Sequence, residues 1–178
     1  MSNDSRITTI ENCIRDVPDF PKPGIRFKDI APLLESADGL RATIDLMAER
    51  WQGEGVEAIA ALESRGFPFG GALAARLGVG MVMIRKPGKL PYEKVGVDYD
   101  LEYGTDRVEM HVDAVKPGQR VLLVDDLLAT GGTAEASIKL LRDTGKADVI
   151  GCAFVIELSF LNGADRLAPI PIHALLKY

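Results

Sequence analysis

Short apolar runs alternate along the chain with stretches in which apolar residues recur every three or four positions. Five runs have the length of strands buried on both faces: 56–62, 79–84, 121–124, 149–158 and 172–178. Three stretches with helical spacing lie before or between them: 40–51, 72–77 and 134–141. This alternation predicts one α/β domain, in which helices flank an open and mostly parallel twisted sheet.

Two segments interrupt this alternation. Helical spacing over residues 7–17 is followed by prolines that forbid regular helix, so residues 20–30 are predicted to form a rigid extended loop. Residues 85–104 show no clear periodicity, and a long irregular segment in a compact domain is typical of a lid or a binding loop. Alternating apolar and polar residues over 108–112 then predict a half-buried strand.

The composition narrows the class of protein. A length of 178 residues, with 47% hydrophobic and 26% charged residues, is typical of a single globular domain. The net charge of -5 argues against non-specific binding to nucleic acid, and no apolar run approaches the ~18 residues of a membrane span. The two cysteines lack metal-like spacing and the N-terminus lacks an apolar targeting core, so we expect a cytoplasmic protein.

The most informative stretch is 120–133. Its pattern predicts a buried strand, followed by two carboxylates, a loop of small residues and the start of a helix. Asp125 and Asp126 are expected to end the strand, where ligands bind in open α/β sheets. Residues 130–133 (Thr-Gly-Gly-Thr) would lie at the helix N-terminus, where free N–H groups and the helix dipole favour a phosphate. Glycines let the backbone approach the anion, and threonine hydroxyls add donors.

Adjacent carboxylates repel each other and lose hydration when they are buried, so a fold needs a reason to keep them together. Asp125 and Asp126 can accept hydrogen bonds from sugar hydroxyls or help to hold a metal-bound substrate. Alternatively, one of them caps the next loop and the other is solvated. The small-residue loop that follows favours the functional interpretation, although it lacks the GxxxxGK[ST] pattern of a P-loop.

Several motifs together resemble the type I phosphoribosyltransferase family. The stretch VDDLLATGGT at 124–133 is similar to the family's phosphoribosyl pyrophosphate signature. Four further segments resemble the members that act on adenine: FPKPGIRFKDIAP at 20–32, ESRGFPF at 63–69, IRKPGKLP at 84–91 and LEYG at 101–104. The similarity extends over nearly the whole chain and implies the type I phosphoribosyltransferase fold.

The resemblance implies a reaction of purine salvage, in which the 5-phosphoribosyl group of phosphoribosyl pyrophosphate is transferred to adenine, giving AMP and pyrophosphate. It also implies Mg²⁺, held mainly by diphosphate oxygens and water, so no protein ligand is assigned. Asp125 and Asp126 would meet the ribose hydroxyls. The residues implied to bind the 5-phosphate are Ala129, Thr130, Gly131, Gly132 and Thr133.

By resemblance, a loop and a basic segment would bind the leaving diphosphate. Positive groups that stabilise the negative charge developing on a leaving group usually contribute strongly to catalysis. The residues implied to bind it are Ser64, Arg65, Arg85, Lys86 and Lys89. Arg65 offers a planar fork of donors and is also implied to act in catalysis. Members of the family often hold a non-proline cis peptide bond in this loop. The residue matching Arg85 can reach across a dimer interface, so a homodimer is expected.

Glu102 is the expected general acid/base. As N9 of the purine attacks the anomeric carbon, a ring proton must leave, and a carboxylate within hydrogen-bond reach could handle it. By resemblance Glu102 in LEYG takes this role. From spacing alone, Asp98 and Asp100 are competitors.

The adenine site would combine a stacking ring with backbone recognition. By resemblance, Phe27 stacks on adenine while backbone groups of Arg26 and Lys28 read its amino edge, and Leu127 covers the other face. A loop fixed by prolines suits backbone readout because it loses little ordering entropy on binding. Arg26 stands where an apolar residue is commoner in the family, but backbone readout is expected to keep the adenine preference.

The resemblance predicts a single domain over 1–178, with a hood for base recognition at 1–35 and a mobile catalytic loop at 85–104. Two rival interpretations stay open. One is the same chemistry with another base, such as hypoxanthine or xanthine. The other is a non-catalytic regulator that senses phosphoribosyl pyrophosphate, against which the net charge of -5 argues, since such regulators usually need a basic surface for nucleic acid.

Overall fold

Five parallel strands form the central sheet of the protein, for which a computed structural model describes residues 5–100 and 104–178. Every neighbouring pair of strands in this sheet is parallel. From one edge to the other, the strands are β4 (Gly80–Ile84), β3 (Ala58–Leu62), β7 (Arg120–Leu128), β8 (Asp148–Glu157) and β9 (Ile172–Lys177). The prediction of an open parallel sheet is therefore confirmed.

Helices pack on both faces of this sheet. They are α1 (Ser5–Asn12), α2 (Ala31–Glu35), α3 (Ala37–Trp51), α4 (Gly66–Leu77), α5 (Gly132–Lys139) and α6 (Gly163–Leu167). Helix α5 continues as a π-helical turn over Leu140–Thr144 and stops at Gly145, as its sequence predicted. Among the described residues, no helix has the length and hydrophobicity needed to cross a membrane.

Alternate residues of β7 belong to opposite hydrophobic cores. Val121 and Leu123 pack in the core that includes α5, whereas Leu122 and Val124 pack in the core that includes α3 and α4. All four side chains are completely buried. Burial on both faces explains why this strand is continuously apolar and does not alternate with polar residues.

An antiparallel hairpin near the N-terminus replaces part of the predicted helix and loop. It consists of β1 (Arg15–Pro18) and β2 (Arg26–Asp29), with Val17 opposite Phe27. A helix over 7–17 is therefore wrong beyond Asn12, because Val17 precedes a proline and such residues are disfavoured in helix. A loop throughout 20–30 is wrong as well, because β2 is a strand.

A second hairpin lies in the segment that was predicted to be irregular. It pairs β5 (Lys94–Asp100) with β6 (Thr105–His111). A loop throughout 85–104 is therefore wrong for β5, where Val95, Val97 and Tyr99 pack against the core. The mobility of this segment stays a prediction, whereas the half-buried strand expected at 108–112 corresponds to β6.

Two elements beside the site differ in length from the prediction. Strand β7 continues through Asp125 and Asp126 to Leu128, because its last residues remain paired with β8. Helix α4 begins at Gly66, well before the predicted start at 72, because Pro68 is tolerated in the first turn of a helix. As a result, Asp125 and Asp126 lie within a strand, and the start of α4 lies closer to them than predicted.

We expect Gly151→Ala to destabilise the fold strongly. An added Cβ at Gly151 would lie 2.0 Å from a ring carbon of the buried Trp51, so α3 or β8 would have to move. Overpacking of this kind costs about 1–3 kcal/mol. The measurement is urea unfolding followed by circular dichroism.

Gly80→Ala is the matched control for this substitution. A Cβ at Gly80 would meet no atom of the described residues within 4 Å, so the midpoint of unfolding should change little. Equal midpoints for the two variants would contradict the packing of Trp51 on β8.

Candidate active site

A cavity of about 220 Å³ lies where β7 gives way to α5. Its lining includes the carboxylates and the small-residue loop that the sequence singled out: Asp125, Asp126, Leu127, Ala129, Thr130, Gly131, Gly132 and Thr133. Arg65 also lines this cavity, and it comes from the loop between β3 and α4. The structure therefore brings together every residue predicted for the sugar and its 5-phosphate.

The loop before α5 has a backbone that requires glycine at one position. Gly131 precedes the helix with φ of 82°, in the left-handed region that disfavours residues with side chains. An added Cβ there would also lie 2.7 Å from the carbonyl oxygen of Gly163. No side chain of the described residues caps α5, so its first N–H groups remain available to an anion.

Asp126 is buried beside one arginine, and the neighbouring Asp125 is half-buried. Asp126 is 3% exposed, and its Oδ2 lies 2.7 Å from Nε of Arg65. Despite this ion pair, Asp126 Oδ2 accepts no hydrogen bond from the described residues. Burial, together with the negative charge of Asp126, raises the pKa of Asp125 well above its ordinary value. A buried oxygen without a donor at a cavity is suited to a ligand hydroxyl.

A second cavity, of about 310 Å³, adjoins the first. It is lined by Glu63, Ser64, Arg65, Lys86, Asp125, Asp126 and Thr133. Arg65, the two carboxylates and Thr133 line both cavities, so the carboxylates lie between them. The peptide bond between Glu63 and Ser64 is cis, as the resemblance implied.

The predicted diphosphate residues do not all line this second cavity. Ser64, Arg65 and Lys86 line it, whereas Arg85 and Lys89 line neither cavity. Arg85 is instead engaged by Glu63, since its Nε donates to Glu63 Oε2 at 2.9 Å. The backbone N–H of Lys86 donates to the same oxygen at 2.8 Å, so one carboxylate fixes the start of the basic segment.

Glu63 lines the second cavity, although no role was predicted for it from the sequence. The hydrogen bond from Arg85 lowers the pKa of Glu63, although burial acts in the opposite direction. Its place directly after a buried strand was a signal that could have identified it. Phe154 of β8, which lines the first cavity, gave no such signal because it belongs to a continuous apolar run.

The first hairpin reaches the site through Phe27. The guanidinium carbon of Arg65 lies 5.4 Å from the centre of the Phe27 ring, and Phe20 packs edge-on against that ring at 5.2 Å. Leu127, the predicted partner on the other face of a base, lines the first cavity. Strand β2 pairs only with β1 among the described strands, so backbone groups on its outer edge are free to bind a ligand.

The side chains of Arg26 and Lys28 line a different cavity, of about 490 Å³, between the hairpin and the C-terminal segment. Both are paired with Asp16, at 3.2 Å for Arg26 and 2.6 Å for Lys28. The ammonium group of Lys28 also lies 3.6 Å from the centre of the Tyr178 ring. Their predicted role in binding a base concerns backbone atoms, which these side-chain contacts leave unchanged.

Glu102, the expected acid/base, lies outside the described residues. Of its competitors, Asp98 is bound by Nη1 of Arg107, which lies 2.9 Å from both carboxylate oxygens. The carbonyl oxygen of Asp100 lies 3.9 Å from an ideal Cβ at Gly132, so the end of β5 adjoins the start of α5. The assignment of Glu102 stays a prediction.

Known proteins match this chain over nearly its full length. Residues 31–169 match the family model of the phosphoribosyl transferase domain. The chain is 52% identical over 171 residues to the adenine phosphoribosyltransferase of Roseiflexus sp. (strain RS-1), covering 96% of this chain and 99% of that protein. It also resembles two crystal structures of adenine phosphoribosyltransferases.

The first of these structures is from Thermoanaerobacter pseudethanolicus, with a TM-score of 0.93, 50% identity and coverage of 97% of this chain and 99% of that one. The second, from Saccharomyces cerevisiae, was crystallised with adenine and an imino-altritol bisphosphate. Its TM-score is 0.90 and its identity 38%, with coverage of 97% of this chain and 99% of that one.

We expect Asp125→Asn to stabilise the free protein, because it removes a desolvated charge beside Asp126. Since the pKa of Asp125 is raised in the folded state, the folded protein binds more protons than the unfolded one between pH 3.8 and that raised value. Wild-type stability contributed by this group therefore falls as the pH rises. The difference in Tm between variant and wild type should grow from pH 4 towards pH 8 and reach about 2–4 °C.

Asp165→Asn, which removes an exposed carboxylate of α6, is the control, and its difference in Tm should stay small at every pH. A Tm difference for Asp125→Asn that does not depend on pH would contradict the raised pKa.

Proposed function

The chain belongs to the phosphoribosyl transferase domain family, and we propose that it transfers the 5-phosphoribosyl group of phosphoribosyl pyrophosphate to adenine, yielding AMP and pyrophosphate in purine salvage. The observation that carries this proposal is the pair of adjoining cavities that share Asp125 and Asp126. A sugar that bears a phosphate at one end and a diphosphate at the other fits this arrangement. Its two anions would lie in the two cavities, and its hydroxyls would face the carboxylates between them. The adenine phosphoribosyltransferases that resemble this chain add support for adenine.

In this proposal the substrate lies across both cavities. The 5-phosphate binds at the start of α5, at Thr130 to Thr133, where backbone N–H groups and the Thr130 hydroxyl are available. The ribose hydroxyls donate to Asp125 and Asp126, which supplies the donor that Asp126 Oδ2 lacks. The diphosphate contacts Ser64, Arg65 and Lys86 in the second cavity.

The reaction exchanges one bond at the anomeric carbon for another. The bond from C1 to the diphosphate oxygen breaks, its electrons leave with pyrophosphate, and positive charge develops on the sugar, as in other glycosyl transfers. Adenine N9 then bonds to C1 and loses its proton, which we assign to Glu102 as base. Arg65 and Lys86 stabilise the charge on the departing diphosphate. The base stacks on Phe27 under Leu127, and backbone groups of β2 read its amino edge.

Mg²⁺ belongs to the proposal as a partner of the substrate. Among the described residues, no group of three or more His, Cys, Asp or Glu side chains could hold a metal ion. Diphosphate oxygens and water are the ligands proposed for the ion, in keeping with its preference for oxygen, and no protein ligand is assigned. When bound, the ion supplies positive charge to the leaving group.

We also propose a homodimer. Strand β4 is an edge of the sheet and exposes two large apolar side chains, Met81 at 37% and Met83 at 40%. Exposed apolar side chains at a sheet edge favour association. Arg85 follows this strand directly, and we infer that it, with Lys89, acts at the partner's diphosphate site, since neither residue lines either of the two cavities that share Asp125 and Asp126.

The organisation of the chain completes the proposal. One domain over 1–178 would contain the hood at 1–35 and the catalytic loop at 85–104, whose closure would exclude water as a competing nucleophile. A cytoplasmic location is supported by the two free thiols, Cys13 and Cys152, which are typical of a reducing compartment.

The test of the function is formation of AMP from adenine, phosphoribosyl pyrophosphate and Mg²⁺, followed by ultraviolet absorbance or chromatography. We expect product with adenine and much less with hypoxanthine, guanine or xanthine. A preference for another purine base would retain the chemistry and overturn the base assignment. No product with any base, combined with binding of RNA or DNA, would favour the regulator.

Glu102→Ala should lower kcat by about 100-fold or more, as expected for loss of a general acid/base, and should change the KM for phosphoribosyl pyrophosphate little. Glu93→Ala, which removes an exposed carboxylate before β5, is the control and should retain wild-type turnover. Near-normal kcat in Glu102→Ala would rule out the assignment.

A further inference from the structure

A polar network joins the second hairpin to both of the cavities that share Asp125 and Asp126, which we call the two anion cavities. Nζ of Lys86 donates to the hydroxyl of Tyr99 at 2.8 Å and also to Oδ2 of Asp106. The Tyr99 hydroxyl donates to the same Asp106 oxygen at 3.0 Å and lies 3.1 Å from Oγ1 of Thr133. Lys86 lines the second cavity and Thr133 lines both, whereas Tyr99 and Asp106 line neither.

The donors and acceptors of this network fit together in one way. Asp106 can only accept when ionised, so the single proton of the Tyr99 hydroxyl points to it, and Thr133 must donate to Tyr99. The ammonium group of Lys86 has three N–H donors, of which Tyr99 and Asp106 use two. One donor of Lys86 therefore remains for an anion in the second cavity.

Lys86 and Asp106 are both charged in this network. Burial by itself lowers the pKa of Lys86, but hydrogen bonds with Asp106 and Tyr99 outweigh it and the pKa is raised. Burial by itself raises the pKa of Asp106. Hydrogen bonds outweigh this effect, the one from Lys86 most strongly, so the pKa of Asp106 is lowered. Both groups therefore stay charged at neutral pH.

The Tyr99 ring holds the network in place. The ammonium group of Lys86 lies 5.3 Å from the ring centre, and a ring carbon of Tyr99 lies 3.8 Å from an ideal Cβ at Gly132. Tyr99 belongs to β5, Asp106 to β6 and Thr133 to the first turn of α5. One side chain thus contacts the hairpin, the basic segment and the start of the helix.

We propose that Tyr99 and Asp106 are positioning residues, which hold Lys86 at a fixed place relative to Thr133 so that the two anions of one substrate molecule bind together. This inference rests on the proposed function, because it assigns the anions to phosphoribosyl pyrophosphate. Neither residue touches the reacting atoms. Their loss should therefore affect binding of this substrate and leave binding of adenine unchanged.

Asp106→Asn separates positioning from simple electrostatics. Removing a negative charge beside an anion site strengthens anion binding if charge alone matters. If Asp106 acts by positioning Lys86, the same substitution weakens binding. The two accounts thus predict KM changes of opposite sign for phosphoribosyl pyrophosphate.

The experiment measures steady-state kinetics of Tyr99→Phe and Asp106→Asn with each substrate varied in turn. We expect the KM for phosphoribosyl pyrophosphate to rise about fivefold or more in both variants, the loss typical of one hydrogen bond, with the KM for adenine within about twofold of wild type. Tyr92→Phe and Asp113→Asn, which alter an exposed tyrosine and an exposed aspartate, should match wild type.

A double-mutant cycle tests whether Tyr99 acts through Lys86. If it does, adding Tyr99→Phe to Lys86→Met should raise the KM for phosphoribosyl pyrophosphate little further. Additive effects would overturn the inference, as would a lower KM in Asp106→Asn, equal changes for both substrates, or no change in Tyr99→Phe.

Calorimetric titration with pyrophosphate and Mg²⁺ supplies a readout that does not need turnover. Weaker pyrophosphate binding in Tyr99→Phe, with unchanged Tm, supports the positioning role, and unchanged binding contradicts it. A wild-type protein that forms no AMP would contradict the proposed function instead, so the two failures are distinguishable.

Discussion

Two adjacent carboxylates near the end of β7, the buried Asp126 and the half-buried Asp125, are the constraint around which the site is built. Leaving one buried polar atom without a hydrogen bond costs about 1–3 kcal/mol, and more when the atom is charged. Arg65 offsets part of this cost through its ion pair with Asp126, whose Oδ2 still lacks a hydrogen-bond donor among the described residues. Natural proteins accept such local conflicts mainly at functional sites, where the ligand supplies the missing partner.

Close backbone contacts fix the two anion cavities on either side of this pair. An added Cβ at Gly66 would lie 2.9 Å from Oδ1 of Asp125, and one at Gly131 would lie 2.7 Å from the carbonyl oxygen of Gly163. Both positions therefore exclude a side chain unless the backbone shifts. The loop that carries Arg65 and the start of α5 are thus set by packing against the carboxylates and α6, and their spacing does not depend on a bound ligand.

The small-residue loop before α5 was predictable because its sequence signals are local. A buried strand, two carboxylates and small residues before a helix all lie within 120–133, and the structure brings them to one cavity. The roles of Glu63 and Tyr99 depend on partners 22 and 34 positions away, which no local pattern encodes. The strand β5 was missed although Val95, Val97 and Tyr99 recur at every second position, because prolines and basic residues before it suggested an irregular segment.

By resemblance an apolar residue is expected at position 26, where this chain has arginine, and the surroundings of Arg26 explain how the charged side chain fits. The side chain is 76% exposed, and its Nη2 lies 3.2 Å from Asp16 on the neighbouring strand. It borders the cavity beside Tyr178 and lines neither of the cavities that share the carboxylates. Residues that alternate along a strand point to opposite faces, so Arg26 and Phe27 cannot both point to the base. Because Phe27 faces Arg65, the charge of Arg26 stays on the opposite face of the hairpin. The proposed recognition of adenine through the backbone of β2 therefore does not depend on the side chain at position 26.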